Sequence, residues 1–195
     1  SSDHGENLGA RNLWGKMNMY EESAAIPLIV VPAPNSGIAV PSECDTTTSL
    51  LDVSETIIDH FGADLAGTRP GRSLYEIAAE PADPDRVVFS EYHAVGAVSA
   101  CYMIRKGRWK LIDYVGFQPE LFDLVADPEE TLNRADDPNA KPVLDALYAE
   151  LAAICDREAT NALAFADQEA MIECYGGPEQ AKNIGAPSAT PPPKT

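Results

Sequence analysis

The sequence predicts a mixed α/β chain in successive parts. These are a piece of an α/β core over residues 1–80, a small four-stranded antiparallel sheet over 81–135, helices over 136–184 and a disordered tail over 185–195. Three observations carry this. Ile26 to Val31 is a short, largely β-branched apolar run without alternation, the pattern of a strand covered on both faces. Beyond Pro81-Ala82-Asp83-Pro84-Asp85 the hydrophobic period changes to two and stays there for four segments, with no helix between them. From Lys141 onward the period becomes that of a helix.

Taken in order, residues 1–20 are polar and rich in glycine (Gly5, Gly9, Gly15) and read as a loop with one short helical turn. Ile26 to Val31 follows, bounded by Ala24-Ala25 and by Pro32-Ala33-Pro34. Asn35-Ser36-Gly37 then makes a turn, and Ile38 to Val40 is a second short strand. Asp52 and Glu55 have capping-box spacing at the head of a helix. Val53, Ile57, Ile58 and Phe61 form its apolar stripe, and Gly62 closes it. Gly67 to Ser73 is a turn-rich loop, and Leu74 to Ala79 a short helix.

The four strands are Arg86 to Tyr92, Val98 to Arg105, Arg108 to Tyr114 and Glu120 to Leu124, with Lys106-Gly107 as a hairpin loop. Asp127-Pro128-Glu129-Glu130 turns the chain out of the sheet. Between Lys141 and Glu158, Val143, Leu144, Leu147, Leu151 and Ile154 share a helix face, and Pro142 suits the first turn. A second helix covers Leu163 to Tyr175 and ends at Gly176-Gly177. Its Leu163, Phe165, Ala166, Met171 and Ile172 are more apolar surface than one helix needs, so contact with another copy of the chain is expected there.

Composition bounds the function. The 195 residues carry 14 Lys+Arg against 31 Asp+Glu, a formal charge of −17. That argues against nucleic acid or an anionic membrane surface as a partner, since both need local positive charge. No apolar run approaches the length of a membrane span, and residues 1–20 hold no apolar core of a signal peptide. Cys44, Cys101, Cys155 and Cys174 have no metal-binding spacing and read as reduced structural residues. They fit a reducing compartment, with cytoplasm and periplasm both left open. The chain starts Ser1-Ser2-Asp3-His4-Gly5 without Met, and its densest chemistry lies in its first sixteen residues. The expectation is that the beginning of a larger protein is missing.

That chemistry is Asp3 beside His4, two side chains able to ligate one divalent cation, with glycines on either side permitting close backbone approach. Lys16, thirteen residues after Asp3, can fold back as a positive charge beside an anionic substrate held on that metal. The same residues also fit a plainer reading, in which Asp3-His4 caps a helical turn and Lys16 is a solvated surface lysine. His93 follows a strand and precedes the Gly96 loop, where it either reaches the mouth of a site or serves structure. His60, in the last turn of its helix, answers the helix dipole. The cations from Arg105 to Lys110 read as edge protection and local ion pairing.

Ser-Asp-His-Gly-Glu-Asn-Leu-Gly from Ser2, then Leu13-Trp14-Gly15-Lys16, Tyr20-Glu21-Glu22-Ser23 and Ile26-Pro27-Leu28-Ile29-Val30, resembles the second half of type I sulfatases. These belong to the alkaline phosphatase superfamily, with choline-sulfatase-like and arylsulfatase-like enzymes and, as cousins, phosphonate and phosphate ester hydrolases. Arg105-Lys106-Gly107-Arg108-Trp109-Lys110-Leu111, Glu120-Leu121-Phe122-Asp123-Leu124 and Asp127-Pro128-Glu129-Glu130 resemble the same family's C-terminal hairpin and following strand. The resemblance implies that the first part of the chain is the end of an alkaline-phosphatase-like α/β core. It also implies that Asp3 and His4 are the late pair of metal ligands, for Ca2+ first and Mn2+, Mg2+ or Zn2+ next. Lys16 would contact the sulfate oxygens of a small sulfated ester, and a histidine, for which His93 is the candidate here, would protonate the leaving alcohol.

The nucleophile of such enzymes is a formylglycine made in a Cys-x-Pro-x-Arg motif. This chain has none: Cys101-Tyr-Met-Ile-Arg105 lacks the proline and sits within an alternating strand. The early Asp pair of the metal site is absent too. The formylglycine and the other ligands are therefore expected upstream, with this stretch alone inactive. Two further readings stay open: a phosphonate or phosphate ester hydrolase of the same superfamily, and a non-catalytic truncated or oligomerisation module.

Overall fold

The protein is described by a computed structural model covering residues 1–39, 41, 43–63, 67–94 and 96–182. The expected tail at 185–195 lies outside the described residues. At the centre is a four-stranded antiparallel sheet of β1 (Val87–Tyr92), β2 (Cys101–Lys106), β3 (Trp109–Tyr114) and β4 (Glu120–Asp123), in spatial order β1-β2-β3-β4. Each strand falls within or one residue beyond its expected span. The hairpin differs by one position: Lys106 pairs with Trp109, so the loop residues are Gly107 and Arg108, with Gly107 at φ 54°. A Cβ there would also stand 2.8 Å from the Pro84 carbonyl oxygen, so glycine is needed twice over.

Alternation gives the sheet two faces. Tyr102, Ile104, Leu111 and Leu121 point one way and pack with Leu147 and Leu151 of α4 (Lys141–Ile154). Cys101, Met103, Ile112 and Phe122 point the other way and are covered by Met19 and Tyr20 of the N-terminal loop. The sheet is thus the middle layer between the C-terminal helices and the segment that carries Asp3, His4 and Lys16. On the helix side, Asp113 is buried and accepts from Arg157 Nη1 at 2.6 and 2.7 Å and from the Tyr148 hydroxyl at 2.7 Å, tying α4 and the next helix to β3.

The expected helix from Lys141 to Glu158 is broken. α4 ends at Ile154, Cys155 is extended, and Asp156 caps α5 (Arg157–Cys174) by accepting from the Ala159 amide. Asp156 was hidden inside an unbroken apolar period, which a cap overrides. A last turn, α6, spans Pro178–Ala181. On α5, Leu163, Phe165 and Met171 are exposed.

Residues 1–80 depart most from expectation. They hold α1 (Glu21–Ala24), α2 (Leu50–His60) and α3 (Leu74–Ala79), and no strand among the described residues. Ile26–Val31 runs as unpaired chain, with Ile29 79% and Val31 83% exposed. A strand buried on both faces needs a neighbour at each edge, and the described strands pair only with one another. Ile38 and Ala39 are likewise unpaired, and Val40 lies outside the described residues.

α2 is capped by Ser49 and Asp52, not by Asp52 and Glu55. Glu55 pairs with Arg69 instead. Gly62 does close the helix: its amide and that of Ala63 bond back to Asp59 and Ile58 in a Schellman arrangement. The apolar stripe is not the anchored face, since Ile57 and Phe61 are exposed while Asp52 and Thr56 are buried. Asp52 accepts from the amides of Ser49 and Arg72 and from Arg86, and Thr56 accepts from the Leu74 amide.

Candidate active site

Gly5 shows how the site loop is held. Its amide donates to the Ser23 carbonyl at 2.9 Å, and a Cβ at residue 5 would lie 2.1 Å from the Glu22 carbonyl oxygen. Only glycine lets the loop's backbone lie this close to α1. Asn7, buried, ties the loop's two arms together. Its backbone N–H donates to the Gly15 carbonyl at 2.9 Å, and its Nδ2 donates to the same carbonyl at 2.5 Å and to Ser23 Oγ at 3.0 Å. His4 precedes Gly5 and Lys16 follows Gly15, so these clamps set the two functional arms side by side.

The result is a compact trio. Lys16 Nζ lies 2.5 Å from His4 Nε2, and Asp3 Oδ2 lies 3.3 Å from the same nitrogen. The other ring nitrogen, Nδ1, is 2.7 Å from the Gly5 carbonyl oxygen. A carbonyl can only accept, so Nδ1 carries the proton, and in the neutral ring Nε2 presents its lone pair toward Asp3 and Lys16. This is the tautomer a metal ligand needs, fixed by a backbone carbonyl as metal-bound imidazoles commonly are. Asp3 is exposed; hydrogen bonding from its own amide, with a further hydrogen bond from Ser2, holds its carboxyl below the ordinary carboxylate value.

One carboxylate and one imidazole nitrogen fit a divalent cation once Lys16, whose ammonium stands against the Nε2 lone pair, moves aside. Two donors do not by themselves complete a metal site. Among the described residues no group of three or more His, Cys, Asp or Glu is gathered to hold a metal.

The trio opens on a cleft of about 410 Å³, within the ordinary range for small-molecule sites. Its walls come from α1, from the Thr47–Ser49 segment ahead of α2, and from Ser90, Tyr92 and Arg105 on the sheet. His93 stands apart. Its ring packs edge-on to Tyr102, its Nε2 is 3.0 Å from Glu91 Oε2, and it lines a separate small crevice with Asn161 and Phe165. Glu91, which pairs with His93, and Tyr92, its chain neighbour, border the main cleft. The structure therefore brings together Asp3, His4 and Lys16 and does not bring His93 to them. His60, at the end of α2, contacts Phe61 and Tyr75 rings and lies on neither cleft.

The basic run around the hairpin also reads differently in three dimensions. β2 and β3 are inner strands, so their cations protect no edge. Lys106 pairs with Glu150 and Arg108 with Asp123, as local pairing predicts. Lys110, however, is wholly buried between Glu21 and Glu130. Sequence reasoning missed this group, as it missed Asn7 and Ser23; the one available signal for the loop was the glycine at residue 5.

The comparisons with known proteins agree on a family. The family model described as N-sulphoglucosamine sulphohydrolase, C-terminal, matches residues 9–157, a span that starts after Asp3 and His4. A choline-sulfatase of Rhizobium meliloti is 41% identical over 170 residues, covering 83% of this chain and 32% of that protein. This chain thus spans about a third of that relative's length. Among solved structures, a putative sulfatase from Bacteroides thetaiotaomicron superposes with a TM-score of 0.65 at 28% identity, covering 76% of this chain and 33% of its own. A phosphonate monoester hydrolase of Agrobacterium radiobacter shares the fold with a TM-score of 0.57 at 20% identity, over 78% of this chain and 33% of its own.

Proposed function

The chain belongs to the sulfatase family, and on that premise we propose that it is the C-terminal part of a metal-dependent hydrolase of sulfate esters. The observation that carries the reading is the convergence of the Asp3 carboxylate, His4 Nε2 and the Lys16 ammonium at one end of the cleft. Asp3 and His4 would hold the cation, which when bound draws negative charge from the oxygens of the sulfuryl group. With Nε2 taken up by a cation, Lys16 would be free to donate ammonium hydrogen bonds to a sulfuryl oxygen, where charge grows during the reaction. The Gly5 carbonyl keeps Nδ1 protonated throughout, so Nε2 stays a ligand rather than an acid. The nucleophile, a formylglycine in this reading, comes from outside this chain.

The acid for the leaving alcohol is a separate matter. His93 is turned toward Tyr102 and Glu91, so in this proposal it acts through Glu91 at the cleft rim. Calcium suits the carboxylate, and the imidazole nitrogen extends the set to Mn2+, Mg2+ or Zn2+.

The test uses the complete gene product that contains this chain. It should hydrolyse p-nitrophenyl sulfate, lose the activity on treatment with a chelator, and regain it on addition of one of these metals. Asp3→Ala should abolish turnover. A phosphonate monoester preferred over the sulfate would move the assignment to the cousin hydrolases, whose fold this chain shares. Absence of turnover on both ester classes, with metal supplied, would leave the non-catalytic reading standing.

A further inference from the structure

We propose that Lys110 and Glu130 are positioning residues for the metal-ligand loop: their buried ion pair, shared with Glu21, fixes helix α1, and α1 sets where Asp3 and His4 stand. The inference rests on the reading of Asp3 and His4 as ligands.

Lys110 sits on β3 opposite Arg105 and Phe122, on the face toward the N-terminal loop. Its side chain is fully buried, and Nζ lies 2.8 Å from both Glu130 Oε1 and Glu21 Oε1. Glu130 is equally buried and stands at φ 48°, a left-handed conformation rare for its residue type. Its second oxygen accepts the Glu21 amide at 2.8 Å, which caps the first turn of α1. Arg105 adds a contact to Glu21 at 3.3 Å, and Arg11 donates to the Glu129 and Glu130 carbonyls at 2.6 and 3.0 Å while lying over the Tyr20 ring.

α1 has four residues and cannot hold its own shape, because so short a helix cannot repay its nucleation cost. Its geometry comes from these contacts, which reach it from residues 89 and 109 positions away. The helix passes that geometry on without slack. Ser23 O holds Gly5, whose neighbour is His4, and Ser23 Oγ holds Asn7, which clamps Gly15 next to Lys16. A shift of α1 therefore moves the ligand arm and the lysine arm together. Stability alone is a poor reason for the pair. A well-packed apolar residue at such a place is often as stable as a buried ion pair, whereas the pair dictates one geometry.

The experiment measures metal binding by calorimetry and metal half-saturation of turnover on the complete gene product. Lys110→Met and Glu130→Gln are compared with the parent. Lys110→Met should weaken metal binding about 10- to 100-fold, the usual range for residues behind a metal ligand, and should also lower kcat at saturating metal, because Lys16 shifts with the loop. Glu130→Gln keeps an acceptor for the Glu21 amide and removes only charge, so its binding should weaken by about fivefold or more. If Lys110→Met does not fold, Glu130→Gln decides. Variants that lose thermal stability yet bind metal as tightly as the parent would overturn the positioning role. A parent that binds no metal at all would instead overturn the ligand reading on which it rests.

Discussion

Gly5→Ala is the smallest change that should disable the site, and the structure gives its size. A Cβ at residue 5 meets the Glu22 carbonyl oxygen at 2.1 Å, the Glu22 carbonyl carbon at 3.0 Å and Ser23 Cα at 3.4 Å. Ordinary contact begins near 3.4 Å, so one backbone must retreat by about 1.3 Å. The obstacles are backbone atoms, not the ends of flexible side chains, and α1 is pinned by Glu130, Lys110 and Arg105. The loop is the part that yields. It loses the Gly5–Ser23 hydrogen bond and carries His4 and Asp3 out of place. A displacement of about 1 Å at a reacting group costs on the order of 100-fold in rate, or about 2.7 kcal/mol of transition-state stabilisation. The assay is kcat/KM for p-nitrophenyl sulfate with the complete gene product at saturating metal. Gly37→Ala serves as the control, because a Cβ at residue 37 meets nothing within 4 Å. A Gly5→Ala enzyme within threefold of the parent would refute the claim that the close approach to α1 sets the ligand geometry.

Three other outcomes are expected. Asp113→Ala should lower unfolding free energy by about 1.5–3 kcal/mol without changing metal binding, because Tyr148 and the partly exposed Arg157 lose a charged partner; a urea midpoint unchanged from the parent would contradict this. Burial would raise the Asp123 carboxyl, but the paired hydrogen bonds from Arg108 and the amides of Ala126 and Val125 outweigh it and hold the group below its ordinary 3.8. The folded value is depressed, so this contribution is full above the unfolded value and disappears as pH falls through the folded one; Asp123→Asn should flatten the stability loss below about pH 4, and an unaltered acid slope would count against it. Burial pushes the Cys101 thiol up to about 12, with Asp113 and Glu120 adding to the shift, so iodoacetamide at pH 8 should label exposed Cys44 and Cys174 while sparing Cys101 in the folded protein; rapid labelling of Cys101 would show the strand is not packed as described.

The candidate site was half legible in the sequence. Asp3, His4 and Lys16 stood out because two possible ligands lie side by side between glycines and because the whole stretch resembles a sulfatase motif. Their mutual distances were not, because Asn7, Ser23 and Glu22 do the clamping through backbone and hydroxyl contacts that no spacing rule exposes. His93 looked competent by its position after a strand. The direction in which the chain turns there took it toward Tyr102 and the crevice beside α5.

The sequence by itself determined the four-stranded sheet and its two faces, since a period of two in each strand assigns every side chain to one side. It determined the closing glycine of α2 and the helical face of α4 for the same reason: these are patterns of near neighbours. The structure shows that, among the described residues, Ile26–Val31 has no strand at either edge, because the four described strands pair only with one another. It also decided the meaning of Lys110, one more cation in a basic run until Glu21 and Glu130, distant in sequence, enclose it. Local periodicity follows from the geometry of a few successive residues, whereas burial of a charge depends on partners brought in from far along the chain.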